Sequence, residues 1–293
     1  MIILKSNIKE QFKKFCKENN PSTMQIAVEY FSIFGGLDLK IDTSKPLEDL
    51  ITKHILKDYK YLRNSISIIT TGDPQYNAIL TGLALGDRRT NSAFKRANVS
   101  FNFGIDVVDT LCESGIIKLE KSMQSLTNLE EHYVVSEKLL FASPFLRFWF
   151  GSISPIFQGI KAGDYDEFFK KFQDNKAKYI DLVFEQLSHE FLKDIFQEND
   201  KLERLGRYWD DDISLEIIGK TKSGKMIIGS TKYSNSKVKK SELSKLEKIA
   251  ESLKIDVDTF VLFSKKGFSN ELKSLKSESL KLYTLKSLSA LRG

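Results

Sequence analysis

The sequence predicts a multidomain protein that is mainly helical at first and α/β in its last third. The chain has 293 residues, which is longer than one typical domain. Apolar residues recur at three- and four-residue spacing through most of the first 178 positions, as in amphipathic helices. From Tyr179 onward, helical segments alternate with short strand-like runs. We therefore expect more than one hydrophobic core.

The amino-acid composition indicates a soluble globular protein. Apolar residues make up 41% and charged residues 29%, values typical of soluble globular domains. No apolar run approaches the roughly 18 residues that span a bilayer, and the N-terminus lacks the pattern of a signal peptide. These features predict a cytoplasmic protein without a membrane partner. A net charge of +6 permits nucleic-acid or acidic-protein partners without requiring either.

The cysteine and histidine content excludes several kinds of site. Cys16 and Cys112 lie far apart in sequence, so they form neither a disulfide framework nor a zinc cluster. The three histidines, His54, His132 and His189, are scattered. A histidine-rich metal site or a Ser-His-Asp triad therefore has little support.

Residues 1–72 are predicted to be a helical N-terminal region. Helices are expected over 8–19, 23–34 and 47–62, because apolar positions recur at helical spacing and Pro or Gly separates the segments. This region shows no residue pattern that indicates chemistry.

Residues 73–140 predict a winged helix-turn-helix. Three helices, at 74–85, 91–97 and 101–113, are followed by strands at 116–121 and 132–138. In such a unit the third helix enters the DNA major groove, and its N-terminal residues reach base edges.

The expected DNA contacts of this unit fall into two groups. Ser100, Asn102 and Asp106 would face base edges. The basic residues before the third helix, Arg88, Arg89, Lys95 and Arg96, would meet phosphates. Winged helices also pack on proteins, however, and the third helix is acidic and apolar. A protein partner in place of DNA therefore remains open.

Residues 141–178 are expected to be an aromatic helical linker. Phe145, Phe148 and Trp149 are more typical of a packed core than of a binding platform.

Residues 179–293 are predicted to form an α/β domain with a mixed sheet. A helix carrying Glu185 precedes strands at 213–218 and 226–233 that form a hairpin. A helix at 240–253, a strand at 259–264, a short helix near 270–277 and a strand at 280–285 follow. This order is the common core of the restriction-endonuclease-like PD-(D/E)XK nucleases.

Such nucleases hold a divalent metal with carboxylates and place a lysine nearby. The metal polarises the phosphodiester and generates hydroxide, while the lysine stabilises developing charge. The matching positions are Glu185, Glu216, Ser230 and Lys232. Glu185 and Glu216 would bind magnesium, if any metal binds. Ser230 replaces the remaining acid, so we expect weaker metal binding and impaired catalysis. Alternatively, the glutamates are ordinary surface acids and Lys232 is a solvated lysine.

Four regions of sequence resemble the C-terminal domain of unknown function found in archaeal-type and bacterial DEXX-box ATPases. They are FASPFLRFWF at 141–150, VFEQL at 183–187, GRYW at 206–209, and SLEIIG with IIGSTKYS at 214–219 and 227–234. The resemblance covers roughly Pro74 to the end and implies a winged helix joined to a restriction-endonuclease-like region. The chain departs from the family pattern at Ser214, Glu216 and Ser230, where the family has Glu, Asp and Glu.

We find no ATPase domain in the sequence. The string GKTKSGK at 219–225 matches the spacing of a phosphate-binding loop, but Met226 follows it and strands are predicted on both sides. A hairpin turn is therefore expected there, and ATP binding is not.

These observations favour a nuclease-related nucleic-acid-binding protein that is catalytically impaired. A protein-protein interaction module is the alternative from a different class. A weak magnesium-dependent nuclease, with a water in place of the lost acid, is the third hypothesis.

Overall fold

The computed structural model describes residues 6–129, 135–197 and 200–293. The chain divides into two compact units, one formed by Met1–Glu120 and Ser136–Ile180 and the other by Lys121–Val135 and Asp181–Gly293. Within the described ranges, none of the helices combines the length and apolar character that a membrane span requires. The fold is α in the first unit apart from one two-stranded antiparallel sheet, and α/β in the second, as predicted.

Four helices begin the first unit: α1 (Ile8–Asn19), α2 (Met24–Phe34), α3 (Leu47–Ile51) and α4 (Tyr59–Ile69). Asn7 and Glu10 form a capping box that starts α1, and the Thr23 hydroxyl caps α2. The single helix expected over 47–62 is wrong. Instead, a π turn (Thr52–Leu56) and residues 57–58 separate α3 from α4. Buried positions still recur every three or four residues through this break, so sequence periodicity does not reveal it.

The segment predicted to be a winged helix contains α5 (Pro74–Leu85), α6 (Thr90–Ala97) and α7 (Phe101–Glu113), then an antiparallel pair of strands, β1 (Ile117–Glu120) and β2 (Lys138–Phe141). The turn between α5 and α6 lies beside this pair, because the Leu139 N–H donates to the Arg88 carbonyl at 2.8 Å. The element order agrees with the prediction. The return strand was expected at 132–138. Residues 132–134 lie outside the described residues, and the prediction is wrong for 135–137, because β2 begins only at Lys138.

The aromatic segment packs into the core of the first unit, as expected. It contains α8 (Pro144–Phe148), a π turn (Trp149–Ile153) and α9 (Phe157–Ala162), and is followed by the long α10 (Asp166–Ile195). Phe148 is fully buried and meets Phe168 and Phe172 edge to face, and Trp149 stacks on Tyr59 at 5.7 Å. The segment therefore has a structural role.

The second unit is built on a five-stranded mixed sheet. Its strands are β3 (Leu202–Trp209), β4 (Ser214–Thr221), β5 (Met226–Lys232), β6 (Thr259–Ser264) and β7 (Leu280–Thr284), arranged in that order. The β3–β4 and β4–β5 pairs are antiparallel, and the β5–β6 and β6–β7 pairs are parallel. The string at 219–225 lies at the β4–β5 hairpin, as predicted. Strand β3 was not predicted.

Helices cover both faces of this sheet. On one face, α11 (Lys240–Ser252) and α12 (Asn270–Ser274) pack on a core that includes Ile228 and Leu262. On the other, Phe184 and Phe191 of α10 meet Phe263. Residues 121–129 also belong to this unit: the Met123 N–H donates to the Arg207 carbonyl at 2.9 Å, and Leu126 enters the core.

Candidate active site

Two of the predicted site residues lie side by side on neighbouring strands. The Lys232 ammonium of β5 is 3.4 Å from the Glu216 carboxylate of β4. Glu216 lies at a bulge: between the pairs Gly206–Ile218 and Tyr208–Leu215, β4 contains one residue more than β3. A bulge changes the direction in which a strand side chain points. The His189 ring also contacts the Glu216 carbonyl oxygen at 2.8 Å, which holds this part of β4 against α10.

Glu185 is held by an arginine that the sequence analysis missed. The Arg207 guanidinium of β3 forms an ion pair with the Glu185 carboxylate of α10, and the two side chains are only 6% and 14% exposed. Arg207 lies in the GRYW string, which was noted for its resemblance but not as a strand. That string was the signal that could have identified it.

A further acid, also missed, contacts Lys232. The Glu242 carboxylate, in the first turn of α11, lies 3.1 Å from the Lys232 ammonium. The ammonium is therefore paired with two carboxylates, one from a strand and one from a helix. A single glutamate on an amphipathic helix gives no sequence signal for such a contact.

The charges of this cluster influence one another. Burial raises the pKa of Glu216 above its ordinary value; the Lys232 ammonium opposes this rise and the Glu185 carboxylate adds to it. Glu185 is therefore close enough to act electrostatically on Glu216. Burial alone would lower the pKa of Lys232, but Glu216 and Glu242 outweigh it, so this pKa lies above its ordinary value. The lysine is firmly cationic.

Ser230 occupies the position where an acid was expected. Its side chain is 1% exposed, and within the described ranges its hydroxyl has no hydrogen-bond partner. It precedes Lys232 by two residues on β5, so both side chains leave the strand on the same face. Among the residues that the structure describes, no three His, Cys, Asp or Glu side chains are grouped closely enough to hold a metal ion.

The predicted DNA-contacting residues differ in their surroundings. Arg88 forms an ion pair with Glu120 at 3.0 Å, and both side chains are largely buried. Arg89 lies 3.7 Å from Asp87. The Ser100 hydroxyl caps α7 by accepting the Phe103 N–H. The remaining predicted contacts are exposed: Lys95, Arg96, Asn102 and Asp106.

Comparison with known proteins gives one family match. Residues 149–246 match the family DUF234, described as archaeal and bacterial proteins of unknown function. No curated protein matches the chain. Among solved structures, protein VC1899 from Vibrio cholerae matches 75% of this chain with 14% identity and a TM-score of 0.28. The match covers 55% of that protein, so the chain spans about half its length. The segment that matches DUF234 contains every residue of the cluster around Lys232: Glu185, Arg207, Glu216, Ser230 and Glu242.

Proposed function

We propose that this protein is a nuclease-related nucleic-acid-binding protein whose hydrolytic site is impaired. One observation carries the proposal: Glu216 and Lys232 meet on adjacent strands, with Glu185 within electrostatic range and a serine in place of the remaining acid. We also propose common ancestry with the domain of unknown function attached to DEXX-box ATPases, to which the match with DUF234 lends support.

The contacts of the cluster support impairment. Phosphodiester hydrolysis at neutral pH needs a divalent cation held by hard oxygen ligands. Here the Glu185 carboxylate is engaged by Arg207, and Ser230 offers no negative charge. Lys232 is paired with two carboxylates, so its charge is already compensated before a phosphate arrives. Magnesium binding by Glu185 and Glu216 would have to compete with these pairs.

The nucleic-acid surface that we propose lies on the winged helix. Lys95, Arg96 and Asn102 are exposed near the start of α7, where such units meet DNA. Arg88 has a structural role in this proposal, because it is largely buried against Glu120.

DNA binding can be tested by fluorescence anisotropy with duplex and single-stranded DNA at increasing salt. Each basic contact with phosphate contributes about one unit to the slope of log affinity against log salt. Lys95→Gln combined with Arg96→Gln should therefore weaken binding and reduce the slope by about two. Lys161→Gln, at an exposed lysine of α9, is the matched control. No measurable affinity at low salt would refute the proposal.

Impairment is tested with magnesium or manganese and single-stranded, duplex and branched DNA. We expect no cleavage above the level given by Glu216→Ala. Clear cleavage that Glu216→Ala abolishes would instead establish the third hypothesis, a live metal-dependent nuclease.

One observation favours a protein partner as the second candidate function. Phe101, the first residue of α7, is 59% exposed, and Asp106 and Asp109 of the same helix are exposed as well. An apolar and acidic helix face suits a protein surface better than a phosphate backbone. A protein that binds no DNA at any salt concentration would favour this candidate.

A further inference from the structure

We propose that Glu242 supplies the acid that β5 lacks at Ser230, so that Glu216 and Glu242 together bind a divalent cation, Mg²⁺ or Mn²⁺, in exchange for the Lys232 ammonium. This inference rests on the proposed nuclease ancestry for its biological meaning. Its metal chemistry can be tested without nucleic acid.

The shared contact with Lys232 brings the two carboxylates near each other. Their contacting oxygens are 3.4 and 3.1 Å from one nitrogen, so they are at most about 6.5 Å apart. Magnesium–oxygen distances of about 2.1 Å require ligand oxygens within about 4 Å of each other, which side-chain rotation can provide. Two carboxylates suffice, because Mg²⁺ usually keeps several waters and takes only one or two from the protein.

Both carboxylates can be reached by hydrated ions. The Glu216 side chain is 31% exposed and that of Glu242 is 17% exposed. Lys232 itself is 30% exposed, so its ammonium can leave the pair and remain hydrated.

The buried Ser230 hydroxyl is a second, independent observation. Its side chain leaves β5 on the same face as Lys232, is 1% exposed and has no hydrogen-bond partner among the described residues. A buried polar atom without a partner calls for an explanation, such as a water or an ion. A water molecule that belongs to a bound cation would provide the partner.

The charge balance also favours a cation. Arg207 compensates Glu185, whereas the single charge of Lys232 faces the two charges of Glu216 and Glu242. The cluster thus carries one excess negative charge, which would repel a phosphodiester. A divalent cation reverses that sign, but it must displace the Lys232 ammonium, so it binds more weakly here than at a site without this lysine.

The experiment measures Mn²⁺ binding to the full chain without DNA, through the electron paramagnetic resonance signal of free Mn²⁺. Glu216→Gln and Glu242→Gln should each weaken binding by about tenfold or more. Glu247→Gln, an exposed acid on the same helix, should leave it unchanged. Lys232→Met should tighten binding, because it removes the competing ammonium.

Three results would overturn the inference: no Mn²⁺ binding by either the parent chain or Lys232→Met, binding that Glu242→Gln leaves unchanged, or weaker binding by Lys232→Met. Urea unfolding of each variant verifies that it folds. If a glutamine variant does not fold, Mn²⁺ binding by Lys232→Met still tests the inference. Mn²⁺ binding without DNA affinity would contradict the proposed function alone. DNA affinity without Mn²⁺ binding would contradict this inference alone.

Discussion

Replacing Arg207 with methionine tests whether the buried pair with Glu185 organises the candidate site. Arg207 and Glu185 are 6% and 14% exposed, so little water can solvate either charge after its partner is removed. Methionine retains most of the side-chain volume and deletes the charge. The Glu185 carboxylate would then stay buried without its partner, within electrostatic range of Glu216.

The expected loss of stability is large. Removing one partner of a buried ion pair costs about 3 to 5 kcal/mol of unfolding free energy. The second unit has about 130 residues, for which the usual entropy of unfolding converts this loss to a fall of roughly 10 to 20 °C in Tm. Combining Arg207→Met with Glu185→Leu removes both charges, so it should recover much of the loss.

Tryptophan fluorescence can report this unit alone. The chain has two tryptophans, Trp149 in the first unit and the fully buried Trp209 in the second. A Trp149→Phe background leaves Trp209 as the probe of urea or thermal unfolding. Arg204→Met, at an exposed arginine of the same strand, is the control and should change stability by less than about 0.5 kcal/mol. A loss below about 1 kcal/mol for Arg207→Met, or no recovery in the double variant, would refute the reasoning.

Three further predictions concern the same sheet. Burial, with a contribution from Glu185, raises the pKa of Glu216 in the folded chain. The unfolded chain therefore releases this proton at a lower pH than the folded chain does. The folded chain loses stability as pH rises from about 4.5 through the raised pKa. The stability of Glu216→Gln minus that of the parent chain should therefore be larger at about pH 7 than at about pH 4. If the difference between their urea midpoints is the same at both pH values, the prediction is wrong. A Cβ at Gly229 would lie 2.3 Å from the Val261 carbonyl oxygen, so Gly229→Ala should cost about 1 to 3 kcal/mol, whereas Lys222→Ala in the hairpin turn should cost almost nothing. Ser230→Ala, measured in EDTA, should stabilise the chain by about 1 kcal/mol, because it removes a buried hydroxyl that lacks a partner; a clear loss would show that this hydroxyl is satisfied.

Local patterns were enough to predict most elements of the fold. Apolar residues at helical spacing, proline and glycine turns, and short strand-like runs predicted α1, α5, α6, α7 and four of the five strands of the larger sheet. Strand β3 was missed because its first half is largely exposed and its second half is buried on both faces, so no two-residue alternation is visible. Its position depends on pairing with β4 and on residues 121–129, which are distant in sequence.

Of the residues in the candidate site, sequence predicted the proximity only of those on neighbouring strands. Glu216 and Lys232 belong to one hairpin, so their proximity follows from local sequence. Arg207 and Glu242 reach the cluster through tertiary packing of β3 and α11, which a single sequence does not encode as a pattern. Whether the cluster acts on nucleic acid stays a prediction.

The path of the chain between the two units affects how the protein can be dissected. The polypeptide passes from one unit to the other near residues 120, 135 and 180, and the last of these points lies inside the continuous α10. A fragment that starts at Tyr179 would lose Ser122, which bonds to both the N–H and the carbonyl of Trp209, together with the core residue Leu126. A single cut that separates the second unit should thus give an unstable product. Recombinant work on the second unit requires the whole polypeptide or a redesigned connection.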